Sequence, residues 1–196
     1  MKLTGKSAQL FVKEVSSMDF FTAIAMRRST RIFTPEQIKD EDLTLILKAG
    51  QAAPVGHSDF AGVRITALQN PDILKAWDQH CTAASGNPNY HMFYQAPTLI
   101  FVAAKPKADG QPVYVADVAC IMENMHLAAT ALGLGSVYLW AMVNRVPLTE
   151  ELLHTLQLPP EFKPVSVLAV GHPKLPVSAR TLAELKPDRI AATILK

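Results

Sequence analysis

Two short apolar runs constrain this chain more than any other feature: Thr98 to Ala104, reading TLIFVAA, and Val165 to Val170, reading VSVLAV. A strand that lacks polar and apolar alternation has no side to turn toward water, so both faces of its sheet must be covered. The segment from Val113 to Leu132 is apolar nearly all round, as a central or interface helix would be. Buried strands and a buried helix together predict helices layered on a central sheet.

The remaining elements follow from periods and caps. Ser17 can cap a helix over Met18 to Arg27, in which Phe20, Phe21 and Ile24 repeat at helical spacing. Asp40 is positioned to cap a second helix with Leu43, Ile46 and Leu47 on one face, closed by Gln51-Ala52-Ala53-Pro54 because the residue before proline avoids the helical region. Val63 to Leu68 alternates as a strand does, and Asn70-Pro71-Asp72 opens a third helix with a cap, a proline at its first position and an acidic first turn. Thr82 to Gln95 shows no period, and a loop of that length inside a domain is often a lid. Ser136 to Val143 reads as a strand and Pro147 to Leu156 as a helix. No repeat or linker divides the chain, so residues 18–196 are expected to form one domain behind an N-terminal arm, residues 1–17.

Composition narrows the classes. Lys plus Arg number 19 against 17 Asp plus Glu, a formal charge of +2, which is no basic footprint for nucleic acid. Charged residues are 18% of the chain, where roughly 25% is usual, and that shortage points to an obligate partner surface, most simply a homodimer. Cys81 and Cys120 show no paired spacing, so a reducing, cytoplasmic compartment is expected. Asn124 to Asn144 lacks Asp, Glu, Lys and Arg, but Gly133-Leu134-Gly135-Ser136 interrupts it as a helix end does, so a helix end followed by a strand is expected and no membrane span.

Arg27-Arg28-Ser29-Thr30-Arg31 is the strongest local signal. Three guanidiniums and two hydroxyls can surround a dianionic phosphate with charge-assisted hydrogen bonds. The same arginines can equally be cations at a helix C-terminus, worth about 0.3–1 kcal/mol, and the residues alone leave both readings open. Gly133-Leu134-Gly135 is no dinucleotide fingerprint, since Tyr138 stands where the third glycine belongs and the motif follows a helix. Glu123 and His126 have the spacing of half a di-iron site without a second pair, so no metal is expected. Neither a Walker loop nor a placed Ser or Cys nucleophile is present.

In their order along the chain, five segments resemble the FMN-dependent nitroreductase family. These are Arg27 to Phe33 after the first helix, the Ala52-Ala53-Pro54 turn, Ala96-Pro97-Thr98 entering a strand, Asp117 to Leu132 running into Gly133-Leu134-Gly135-Ser136, and Gly171-His172-Pro173. The resemblance implies an α+β fold of three layers, α-β-α, with a central mixed, largely antiparallel sheet, and a homodimer with two flavin sites built from both chains. It implies FMN as cofactor and NADH or NADPH as hydride donor to a small-molecule electron acceptor, with no catalytic acid or base named. It assigns Arg27, Ser29 and Arg31 to the flavin phosphate and ribityl chain, Arg28 to a backbone or phosphate contact, and Arg180 to the completion of the phosphate site. It places Leu139, Trp140 and Ala141 beside the flavin ring and Asn89 in hydrogen bonding to that ring. The turn carrying Pro54, Val55, Gly56, His57 and Ser58 is expected from the other subunit.

Two departures bear on the substrate. Ser58 to Gly62 replaces the Asn-x-Gln-Pro-Trp run of many members, and Trp140 and Ala141 replace an acidic residue and a glycine beside the ring. The leading expectation is a flavin oxidoreductase for nitroaromatics, quinones or similar electron-poor compounds. A flavin enzyme with a specialised substrate, for reductive dehalogenation or enoyl-type reduction, and a non-enzymatic flavin-binding dimer are the alternatives.

Overall fold

The computed structural model describes residues 18–107, 110–185 and 190–195, so the expected arm and its cap Ser17 lie outside the described residues. Helix α1 spans Phe20–Met26 and α2 Asp40–Gln51, followed by strand β1, Val63–Leu68, and helix α3, Pro71–Ser85. Strand β2, Thr98–Ala104, helix α4, Val113–Ala131, and strand β3, Gly135–Leu139, come next. The short helices α5, Ala141–Asn144, and α6, Glu150–Thr155, lead into strand β4, Lys163–Gly171.

The four strands form one sheet in the order β1-β2-β4-β3, and every neighbouring pair is antiparallel. Among the described residues, the parallel element is a single bridge between Ser29 and Ser136 on the β3 edge. Every residue of β2 is buried, as its unbroken apolar run requires. Alternate residues then serve two cores. Leu99, Phe101, Val167 and Ala169 join Trp77 of α3, Met142 of α5 and Leu152 of α6 on one face. Ile100, Val102, Leu168 and Val170 join Ile46 of α2 and Val118, Met122 and Met125 of α4 on the other. Three layers result because a period of two sends successive side chains to opposite faces.

Several boundaries differ from the sequence expectation, each for a local reason. Asp19 caps α1, its carboxylate accepting from the Thr22 backbone N–H at 3.0 Å. Asp40 does not cap α2; it is the first helical residue, and Lys39 stands at the cap without a side-chain bond, leaving Asp40, Glu41 and Asp42 to act on the helix dipole. Residues Thr82 to Ser85 belong to α3, which runs on until Gly86 adopts a left-handed conformation, φ 69°. The expected strand to Val143 stops at Leu139: Trp140 turns helical, and the Asn144 side-chain amide donates to Trp140 O and Val165 O at 2.8 Å each, occupying the end of the ladder. Thr149, not Pro147, begins α6, its hydroxyl accepting from the Leu152 N–H at 3.3 Å.

Helix α4 ends as its sequence requires. Gly133 is left-handed, φ 74°, and the N–H groups of Gly133 and Leu134 bond back to Thr130 O and Ala129 O. No helix among the described residues is long and apolar enough to cross a membrane.

Candidate functional site

Once α1 ends, the chain runs along the open edge of β3. The Arg27 N–H still bonds to Ala23 O at 2.9 Å, but the Thr30 N–H donates to Ser136 O at 2.9 Å and the Thr34 N–H to His172 O at 2.9 Å. The Lys174 N–H closes the far end on Ile32 O at 3.0 Å. This contact is close because Gly135 has no side chain: a Cβ there would stand 2.7 Å from the Thr30 methyl. Thr30 therefore faces the strand. In an extended segment the residues on either side of it face away, and Ser29 and Arg31 are exposed while Arg27 is half-buried. Arg27, Ser29 and Arg31 thus share one outward face.

The two other expected arginines are bonded to backbone carbonyls. Arg28 donates through Nη2 to Ser178 O at 2.8 Å. Arg180 donates through Nε to Ala25 O at 2.6 Å and through Nη2 to Arg27 O at 3.0 Å, satisfying carbonyls at the end of α1. Together they join the segment after β4 to the start of the arginine run.

Charge is unevenly balanced here. Arg27 Nε lies 3.8 Å from Glu123 Oε1, at a distance and exposure where an ion pair contributes little. The Glu123 carboxyl titrates below its ordinary value, chiefly through its hydrogen bond to His126, then through the charges of His126 and Arg27 against the cost of burial. His126 is buried on α4, and its Nε2 donates to Ser136 O at 3.1 Å, so it anchors β3. No group of three potential metal ligands exists among the described residues. Arg31 stands 6.0 Å from the Tyr94 ring centroid and lines a cavity of about 310 Å³ with Asn89, Tyr90, His91 and Lys174. No carboxylate pairs with Arg31 or Lys174 among the described residues. Such a surface can hold a phosphate by charge-assisted hydrogen bonds.

Leu139 is buried at the end of β3, three residues past Ser136. Trp140 is 45% exposed, with the Arg145 guanidinium 5.7 Å from its ring centroid, and Ala141 opens α5. The Pro54 to Ser58 turn lies elsewhere on the chain. The Gly56 N–H donates to buried Asp117 Oδ1 at 2.8 Å at the start of α4, and His57 and Ser58 are both left-handed at φ 56°. Two non-glycine residues in that region cost about 1–3 kcal/mol each, strain that surrounding contacts must offset.

A sequence profile of the nitroreductase family matches residues 24–172. This chain belongs to that family. It is 33% identical over 153 residues to an Archaeoglobus fulgidus protein named as an NADH dehydrogenase/NAD(P)H nitroreductase, covering 77% of this chain and 83% of that one. A Methanothermobacter thermautotrophicus protein of the same name is 28% identical over 180 residues, covering 90% and 88%. Among solved structures, a Bacteroides fragilis nitroreductase with bound FMN is similar at TM-score 0.75 and 27% identity, covering 91% of this chain and all of that one, 100%.

In this nitroreductase-family chain, the structure brings together Arg27 to Arg31, Arg180 and the strand leading to Leu139, Trp140 and Ala141, while Asn89 meets Arg31 across the cavity. Of the turn carrying Pro54, Val55, Gly56 and Ser58, Gly56 sits on the first turns of α4, against Val113 and Asp117, and Arg27 lies at the middle of that helix. Lys174 and Tyr94 were not singled out from sequence. Lys174 follows Gly171-His172-Pro173 directly, so the basic residue nearest that turn was the available signal.

Proposed function

We propose that this chain, as a homodimer, takes a hydride from NADH or NADPH through FMN and passes it to an electron-poor organic acceptor such as a nitroaromatic or a quinone. The broader class, an NAD(P)H-dependent flavin oxidoreductase, is that of the family and of its named relatives. The observation that carries the finer reading is the outward face of Arg27, Ser29 and Arg31, fixed along β3 immediately before Leu139 to Ala141.

FMN fits this chemistry. Its phosphate needs several cationic donors outside water-saturated ion pairs, and Arg27 and Arg31 offer guanidiniums with a weak carboxylate partner or none among the described residues. Bound there, FMN would supply hydride transfer at its N5. The protein's share is position. Arg28 and Arg180 fasten the phosphate segment from behind, Asn89 supplies an amide for the ring edge, and Trp140 and Ala141 form the wall at the end of β3.

Dimerisation is supported by apolar surface in excess of what one chain needs. Phe20 and Phe21 are 63% and 62% exposed and stack edge to face, and the outer side of α4 presents Ala116, Ala119 and Cys120. A second reading, a specialised acceptor, is favoured by Trp140 with Arg145 on its ring, since an indole and a guanidinium together select planar and anionic compounds.

The test is direct. Purified protein should be yellow or become so with FMN, and anaerobic NADH or NADPH should bleach it. Arg27→Ala with Arg31→Ala should release FMN while the circular dichroism is kept; full flavin occupancy in that double variant would end the phosphate assignment.

A further inference from the structure

We propose that Tyr138 is a further flavin contact: its phenolic O–H, aimed by Ser166, donates to the polar edge of the ring and favours the reduced cofactor. The proposal rests on the flavin reading above and adds to it a residue that sets the cofactor's preference between its two redox states.

Strand β3 is buried except at Tyr138, which is 36% exposed. The direction of its ring follows from the register. Tyr138 pairs with Leu168, and cross-strand partners share a face, so the ring stands on the side of the sheet where Leu168 packs with α2 and α4. Arg27 approaches Glu123 of α4 on that side too. One strand edge therefore carries the arginine run at Ser136 and, two residues on, an exposed aromatic ring.

The ring also leans toward the end of β3. Leu139 pairs with Val167, and Ser166 is the next residue of β4 beyond that pair. Tyr138 Oη lies 2.7 Å from Ser166 Oγ. Its neighbour Val165 is tied to Trp140 through the Asn144 amide, which donates to both carbonyls at 2.8 Å. The phenol thus ends beside the Trp140 turn, where Trp140 and Ala141 are proposed to wall the flavin.

The hydroxyl pair has a direction. Two hydroxyls at this distance share one hydrogen, and the other hydrogen needs an acceptor of its own. Ser166 is fully buried, and Tyr138 is the partner of its Oγ among the described residues. If Tyr138 donated, the Ser166 hydrogen would be orphaned inside the sheet, the costlier arrangement. Ser166 therefore donates, and Tyr138 keeps its hydrogen for a group outside the sheet. Reduction adds negative charge to a flavin ring, and a hydrogen bond to a charged acceptor is roughly twice as strong as one to a neutral acceptor. The phenol accordingly holds the reduced ring more tightly than the oxidised one. It transfers no proton, and the hydride still comes from NADH or NADPH.

The test uses the full chain loaded with FMN and its variants Tyr138→Phe, Ser166→Ala and the two combined, under anaerobic conditions with a reference redox dye. Tyr138→Phe should bind oxidised FMN nearly as wild type does and reduced FMN about tenfold more weakly, a fall of about 30 mV in the two-electron potential. Ser166→Ala should lower the potential less, and the combined variant no further than Tyr138→Phe, because both residues act through one hydrogen. The combined variant removes both hydroxyls and leaves none orphaned, so it reads the potential free of any lost stability in Tyr138→Phe. The visible absorption of bound FMN should move in Tyr138→Phe while the circular dichroism of the fold is kept. A yellow Tyr138→Phe protein with the native potential and the native flavin spectrum overturns this proposal alone. Shifts from the two single variants that add in full overturn the aiming role of Ser166. Wild-type protein that binds no FMN overturns the flavin reading and this proposal with it.

Discussion

At the scale of single residues, Gly135 shows how little room the site leaves. Gly135→Ala would drive a methyl into Thr30, and overpacking of this kind costs about 1–3 kcal/mol. Urea unfolding should show that loss, and FMN titration should show weaker binding because the arginine run is displaced with Thr30. Trp140→Ala should change the ranking of acceptors more than the affinity for FMN, as read from steady-state rates on a nitroaromatic and a quinone beside a flavin titration. Glu123 gives a pH test. Its folded-state value lies below its ordinary 4.5, so its stabilisation is present above 4.5 and disappears as pH falls through the lower folded value. The stability difference between wild type and Glu123→Gln, measured in urea, should therefore shrink as pH falls below 4.5. That Arg27, Ser29 and Arg31 are suited in type to a phosphate was legible in the sequence, but not that they share an outward face. Nor was the role of Arg28 as a brace, because its acceptor, Ser178 O, lies 150 residues away.

At the scale of elements, the sheet lies between the two apolar cores and contributes side chains to both. Phe101 is fully buried between Trp77, 4.8 Å away by ring centroids, and the β4 residues opposite it. Phe101→Ala should cost about 3–5 kcal/mol in thermal or urea unfolding, against about 1 kcal/mol for Asn70→Ala, which removes the two capping bonds to the Asp72 and Ile73 N–H groups. The strands β2 and β4 and the end of α4 were readable because unbroken apolar runs and a Gly-x-Gly stop have few other solutions. The switch from β3 to α5 was not. Val137 to Val143 has the composition of a strand, and only the reach of Asn144 to Val165 O ends the ladder early.

For the whole molecule, the arrangement to be tested is two chains sharing two sites. Phe20→Glu with Phe21→Glu should shift the mass in light scattering from dimer toward monomer and lower FMN occupancy with it, since the Pro54 to Ser58 turn is proposed to reach the partner's flavin. Within one chain that turn rests on Asp117 while Arg27 lies at Glu123, farther along the same helix. What the amino-acid order determined by itself was local: the periods of the helices and strands, the caps, the layered class they demand, and a cluster of guanidiniums suited to phosphate. Only the tertiary structure decided which of those guanidiniums face outward, and that Tyr138 meets Ser166. Hydrophobic burial is non-directional and written into every stretch of sequence, whereas a hydrogen bond between distant residues exists only after the chain has closed on itself.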